Sequence, residues 1–160
     1  MANTSTKTAP KKKTTTSRNA SAAKTRTERD SMGEMTVPAH VLYGATTQRA
    51  VLNFPIAHRP VPPRVIHAFA LLKRACAEAN KELKKLEAKR AKLIVDACDE
   101  ISAAFAGGVE TDDAKRMMEH FPVDIFQTGS GTSSNMNVNE VVSNLACVAA
   151  GKSIGAKDPI

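Results

Sequence analysis

From residue 64 onward, apolar and polar positions alternate at the helical period. Ile66, Phe69, Ala70, Leu72, Cys76, Ala79 and Leu83 recur near that period, while Lys73, Glu78, Lys81, Glu82 and Lys85 take the remaining surface. The spacing predicts an amphipathic helix of about five turns. Pro62 and Pro63 lead into it, because a first helical turn tolerates a fixed φ and a missing N–H. A second stripe, Leu93, Ile94, Ala97, Cys98, Ile101, Ala104 and Phe105, predicts a helix from Ala88 to Ala106, ended by Gly107 and Gly108. The two are expected to pack as an antiparallel pair. A third face, Val138, Val141, Val142, Leu145, Val148 and Ala149, predicts a helix capped by Ser133 or Ser134 and stopped by Gly151.

Shorter elements surround these. The segment "TRTERDSMGEMTVP" reads as two extended stretches joined by a turn around Gly33 and ended by Pro38. "YGATTQRAVLNF" reads as a short helix started by a threonine cap and closed by Pro55. "HRPVPPR" is a stiff connector, "VETDDAKRMMEH" an acidic-capped helix or a loop, and "FPVDIF" a short extended segment. The fold class is therefore mainly α, with extended segments near the start, and no internal repeat is visible.

Charge divides the chain at residue 28. The net charge of the 160 residues is +7. Residues 1–27 hold seven cations (Lys7, Lys11, Lys12, Lys13, Arg18, Lys24 and Arg26) and no acid, whereas sixteen cations balance sixteen acids from Glu28 onward. The tail contains no Leu, Ile, Val or Phe, so it cannot bury enough apolar surface to offset the entropy of ordering it. It is expected to be a disordered tail over 1–27 preceding a domain over 28–160. It has no apolar run for a secretory signal. It shares the basic, hydroxyl-rich composition of transit peptides, which would place the protein in mitochondria, but offers no apolar helical face. A solubilising extension on a cytoplasmic protein is the simplest reading. A basic arm binding nucleic acid through phosphates is the alternative, opposed by the neutral charge of the rest. In "LKRACAEANKELKKLEAKRAK" acids are interleaved throughout, which reads as a solvated surface.

Cys76, Cys98 and Cys147 are widely spaced among apolar helical residues and read as reduced core cysteines. His40, His58, His67 and His120 are scattered singly, without metal-ligand spacing, so no metal is expected. No apolar stretch approaches the length of a membrane span.

One stretch remains, "TGSGTSSNMNVNE", residues 128–140, at the predicted start of the third long helix. Gly129 and Gly131 permit positive φ and close approach of backbone N–H groups to a ligand, and the unpaired amides of a helix start add partial positive charge. Ser130, Thr132, Ser133, Ser134 and Asn135 add side-chain donors. No Lys or Arg lies between Met117 and Gly151, whereas phosphate sites usually recruit a cation, so a carboxylate fits better, with its cation coming from elsewhere. The competing reading is a loop whose serines and asparagines only satisfy backbone groups. Two nucleotide fingerprints fail. "GSGTSS" lacks the third glycine of a dinucleotide loop, and "GKS" at Gly151 to Ser153 has Ala146 where a P-loop needs glycine.

At "FPVDIFQTGSGTSSNMNVNEV" the chain resembles the class II fumarases of the fumarase/aspartase superfamily. "TRTERDSMGEMTVPAHVLYGATTQRAVLNF" resembles that family's opening and "HAFALLKRACAEAN" its first long helix, so the likeness runs from Lys24 to Gly151. Aspartate ammonia-lyases carry a related loop closer to GGAGTSVNMN, and Thr128, Ser130 and Ser134 favour fumarase. The resemblance implies the helical N-terminal domain of a homotetrameric cytoplasmic enzyme of the tricarboxylic acid cycle, which hydrates fumarate reversibly to L-malate without metal or organic cofactor. It further implies that Ser130, Gly131 and Thr132 bind the dicarboxylate, with Asn135 near the same pocket. The family's later blocks, which carry the catalytic serine and a lysine, have no counterpart in this sequence, nor do its tetramer-forming helices. No catalytic residue is therefore expected within the chain. A non-catalytic helical module stands as the alternative of another class.

Overall fold

The computed structural model describes residues 24–160. Residues 1–23 of the predicted tail lie outside the described residues. The first element, β1 (Thr25–Asp30), starts three residues before the boundary drawn on charge, and pairs antiparallel with β2 (Gly33–Pro38), Thr25 facing Pro38 and Asp30 facing Gly33. Arg26 thus belongs to the ordered body. Its guanidinium donates to the carbonyls of Pro38, Val41 and Tyr43 at 2.6–2.7 Å and pairs with the buried Glu28 at 2.9 Å. These bonds pin the chain leaving β2. At the turn the Asp30 carboxylate accepts Met32 N–H and a two-bond fork from Arg49, and the Arg49 bonds hold its pKa below the usual carboxylate value.

Five helices follow: α1 (Ala45–Asn53), α2 (Pro63–Glu82), α3 (Ala88–Ala104), α4 (Asp112–Met118) and α5 (Thr132–Ala149). The long helices lie where the apolar spacing puts them. His67 stacks near Phe105 and Arg74 pairs with Asp99, so position rises along α2 as it falls along α3, and the pair is antiparallel. The face of α2 differs from the predicted one. Ile66, Ala70 and Ala77 are buried, whereas Leu72, Cys76, Ala79 and Leu83 are exposed. The helix carries apolar residues on more than one face, and the described residues cover one. Cys76 is therefore a surface thiol, while Cys98 and Cys147 are buried as expected. Burial pushes the Cys98 thiol up to about 11.

α4 forms, capped by Thr111, whose hydroxyl accepts Ala114 N–H, with Asp112 and Asp113 in its first turn. α5 is the central element, packed on α1, α2 and α3. Val138, Val141, Val142 and Leu145 are buried as predicted, but Val148 and Ala149 are exposed, and Ala146, Cys147, Asn137 and Asn144 are buried in addition. It ends as expected at Gly151, where Gly151 N–H and Lys152 N–H return to Val148 O and Cys147 O.

The start of α1 departs from the predicted threonine cap. Gly44 holds the cap position without a side-chain bond. The Glu140 carboxylate of α5 instead accepts Gly44 N–H at 2.9 Å, Thr46 N–H at 2.9 Å and Thr47 N–H at 3.1 Å. A negative group here satisfies orphan helix donors and complements the helix dipole. Glycine allows the approach, since a Cβ at position 44 would meet Glu140 Oε1 at 3.0 Å.

Two predictions follow from these contacts. Glu140→Ala removes the acceptor for three N–H groups at once and is expected to cost about 2–4 kcal/mol in urea unfolding, with Glu140→Gln costing about half of that. An unshifted urea midpoint for both variants would show that the carboxylate does not hold α1 in place. His120 supplies the second. Burial pushes its pKa below the ordinary histidine value, and its Nδ1 accepts Leu42 N–H at 3.3 Å, which requires the neutral ring. With the folded-state value depressed, the unfolded chain binds the proton more readily. Stability is therefore fully present above the unfolded value, about 6.5, and is lost as pH falls through the folded value. The melting temperature should drop between pH 7 and 5, and His120→Asn, whose amide oxygen takes the Nδ1 position without titrating, should flatten that slope. An equal slope in both proteins would assign the effect to other groups.

Candidate functional site

The segment before the loop is held on two sides. Val61 N–H donates to Val123 O at 3.1 Å and Ile125 N–H to Arg59 O at 2.9 Å, forming a short bridge between Pro60 and Asp124. This is the extended segment the sequence predicts. The Asp124 carboxylate is buried and accepts Ala57, His58 and Phe126 N–H groups at 2.7–2.8 Å. Burial alone would raise its pKa, but these backbone donors outweigh it and hold the carboxyl below its usual value. Phe121 and Val123 anchor the same segment in the core.

Gln127 then builds the turn into α5. Its Oε1 accepts Ser134 N–H at 2.9 Å, while its Nε2 donates to Ser134 Oγ at 2.7 Å and to Asp124 O at 3.1 Å. Gly131 takes the cap position in the left-handed region, φ +70, with no side-chain cap bond of its own. There a side chain would be strained. Neither Ser133 nor Ser134 is the cap, contrary to expectation. Both lie inside the first turn and are buried, and the capping acceptor comes from Gln127.

The polar side chains of this stretch divide into two groups. Ser134 is bonded to Gln127, and Asn137, 1% exposed, donates to His120 O at 2.9 Å. Those two side chains serve the fold. Ser130 and Thr132 are exposed at the mouth of the helix, with Gly131 half-buried between them. Among the described residues, no acceptor takes the backbone N–H of Thr132 or Ser133. The Thr128 hydroxyl is buried without a partner among the same residues. Two open amides at a helix N-terminus, flanked by exposed hydroxyls, can hold an anionic oxygen.

Asn135 is half-buried one turn into α5, and its Oδ1 accepts from Lys73 Nζ of α2 at 2.6 Å. The structure therefore brings Ser130, Gly131, Thr132 and Asn135 to one helix start and adds a cation from within the chain. Sequence reasoning missed Lys73 and Gln127. Lys73 was placed on the solvent side of α2, yet it shares the 66, 70, 73, 77 stripe with buried Ile66, Ala70 and Ala77. A lysine at an apolar-stripe position was the available signal. For Gln127 there was none, since nothing in sequence marks a glutamine seven residues ahead of Ser134 as a cap.

A cavity of about 380 Å³ between α2, α3 and α5 is lined by Lys73, Ile94, Asn139 and Ser143, among others. Ser130 and Thr132 do not contribute to its walls, so it is separate from the helix start. Among the described residues, no cluster of three or more His, Cys, Asp or Glu side chains could hold a metal ion, and no helix is long and apolar enough to cross a membrane.

The Lyase family model matches residues 33–157. The chain is 48% identical over 136 residues to fumarate hydratase class II 2 of Pseudomonas aeruginosa, covering 85% of this chain and 27% of that protein. It is 49% identical over 130 residues to the class II fumarate hydratase of Halobacterium salinarum, covering 81% of this chain and 25% of that protein. The crystal structure of recombinant class II fumarase from Schistosoma mansoni superposes with a TM-score of 0.73 at 33% identity, over 85% of this chain and 27% of that one. The chain thus spans about a quarter of the length of the relatives it matches. A match across residues 33–157, with these identities and this superposition, establishes that the chain belongs to the lyase family alongside the class II fumarate hydratases.

Proposed function

We propose that this chain is the part of a fumarate hydratase that grips one carboxylate of fumarate or L-malate, in the reversible hydration step of the tricarboxylic acid cycle. The observation that carries the reading is the start of α5. Gly131 takes the left-handed region at the cap, and among the described residues the N–H groups of Thr132 and Ser133 have no acceptor, beside the exposed hydroxyls of Ser130 and Thr132. Its relatives' names supply the reaction class. Ser130, Gly131 and Thr132 bind the carboxylate and Asn135 borders it.

The chemistry favours such a cradle. Abstraction of a proton next to a carboxylate builds negative charge on that carboxylate's oxygens, and fixed donors stabilise charge that develops without having to reorient. The proton-transfer groups are not proposed within this chain. The working assembly is a cytoplasmic homotetramer. The exposed Leu71, Leu72 and Leu83 of α2 and the exposed Phe126 beside the loop offer apolar surface suited to burial by further chain.

Two outcomes test the reading. The purified 160-residue chain should show no loss of fumarate absorbance, because no general base is assigned to it; turnover by the chain alone would place the base within it. Joined to the remaining three quarters of the Pseudomonas aeruginosa class II 2 enzyme, the chain should form an active hydratase. In that chimaera Thr132→Ala should lower kcat/KM by roughly 10- to 1000-fold, the range for loss of one oxyanion donor. Unchanged kinetics would remove Thr132 from the site.

A further inference from the structure

We propose that Lys73 is a positioning residue for the carboxylate cradle: it fixes the side-chain amide of Asn135 with its NH2 group directed toward the start of α5 and brings an unneutralised positive charge alongside. The inference rests on the carboxylate-binding role proposed for Ser130 to Thr132.

An ammonium has three donors and no acceptor, whereas a carboxamide has one acceptor oxygen and one donor nitrogen. A contact of 2.6 Å between Lys73 Nζ and the Asn135 amide therefore has only one favourable orientation, with Oδ1 facing the lysine. The NH2 group is then left on the other side, as a donor. Without the lysine the amide could turn over and present its oxygen instead, which repels an anion.

Helix geometry says where that donor lies. Asn135 is the fourth residue of α5, and Asn135 N–H already donates to Gly131 O at 3.3 Å. Side chains on a helix lean toward its N-terminus, so a residue at this position covers the preceding turn. That turn begins at Gly131 and carries the N–H groups of Thr132 and Ser133, the two left open among the described residues. The lysine reaches it because position 73 lies on the packed stripe of α2, and its apolar stem crosses the contact between α2 and α5.

The charge itself is the second observation. Lys73 is half-buried, and among the described residues it makes no salt bridge within 4.0 Å. Partly shielded from water, its ammonium has a neutral amide as its side-chain partner among the described residues, so its charge is available to an anion at the helix start. A lysine kept only for packing would be replaceable by any residue with a similar stem. One kept for amide orientation would not.

The test uses the chimaeric hydratase and the full 160-residue chain. In the chimaera, Lys73→Met is expected to raise KM for fumarate and for L-malate about tenfold with kcat changed less than threefold, the signature of lost uniform binding. Lys73→Arg, which keeps donor and charge, should restore KM to within about threefold. In an Asn135→Ala background, Lys73→Met should raise KM by no more than about threefold, the part left to long-range charge, because most of the lysine's effect passes through the amide. An unchanged KM in Lys73→Met, or an effect fully retained in the Asn135→Ala background, overturns the inference. A readout independent of turnover is the side-chain NH2 signal of Asn135 in the isotope-labelled 160-residue chain. It should shift on Lys73→Met while the backbone spectrum of α2 and α5 is retained, and on titration with L-malate in the wild-type chain. An Asn135 signal unmoved by Lys73→Met overturns the inference even where the hydratase reading stands. A chimaera without turnover overturns the hydratase reading, and the amide signal still decides the role of Lys73.

Discussion

The Glu140 carboxylate is the contact on which the rest of the fold depends. It accepts three N–H groups from residues 44–47, so one side chain of α5 starts a helix more than ninety residues earlier in the chain. The same device recurs around it. Asn144, one turn further along α5, donates to Leu42 O and accepts Gly155 N–H, tying the chain before α1 to the chain after α5. Arg26 and Asp124 do the same for the segments after β2 and before α2. Each replaces a missing regular hydrogen bond, since irregular backbone that leaves water must find partners in side chains. The result is that α5 is fixed by contacts outside its own start. Its first turn can then leave amides open without fraying.

Much of this was visible in the sequence, and the division has a physical basis. The long helices and the β1–β2 turn follow from apolar spacing and from Gly and Pro positions, which act locally. Caps did not follow. Thr46, Ser133 and Ser134 are good capping residues by type, yet the acceptors came from Glu140 and Gln127, residues with no local relation to the donors they serve. The face of α2 was only partly legible for a different reason. Apolar residues occupy two stripes on it, and a sequence shows that both are apolar without showing which one α3 covers. Cys76 and Leu72 lie on the uncovered stripe, so a reading that sent every apolar residue inward misplaced them.

Within the loop, the choice between a ligand cradle and a capping loop dissolves residue by residue. Ser134 and Asn137 satisfy other groups of the fold, as a capping loop requires. Among the described residues Ser130 and Thr132 do not, and the N–H groups of Thr132 and Ser133 are open. A cluster of hydroxyls and amides in sequence is thus a mixture, part scaffold and part surface. Composition shows the excess of donors over what one cap requires, but only packing assigns each donor. The buried and unpartnered Thr128 hydroxyl falls between the two groups, held in the loop without a protein partner among the described residues.

The absence of Lys and Arg from the loop has a different meaning once Lys73 is in place. In the proposed reading, neutral donors contact the carboxylate directly and the cation acts from behind an amide. Donors on a fixed helix start suit charge that grows as the proton leaves, because they are aimed at it before it forms. A cation at one remove keeps part of the long-range attraction while the amide makes the contact. Through that bond Lys73 ties the first turn of α5 to α2. The loop is neutral in sequence from Thr128 to Asn139, but its surroundings in the fold are not, since Lys73 reaches Asn135.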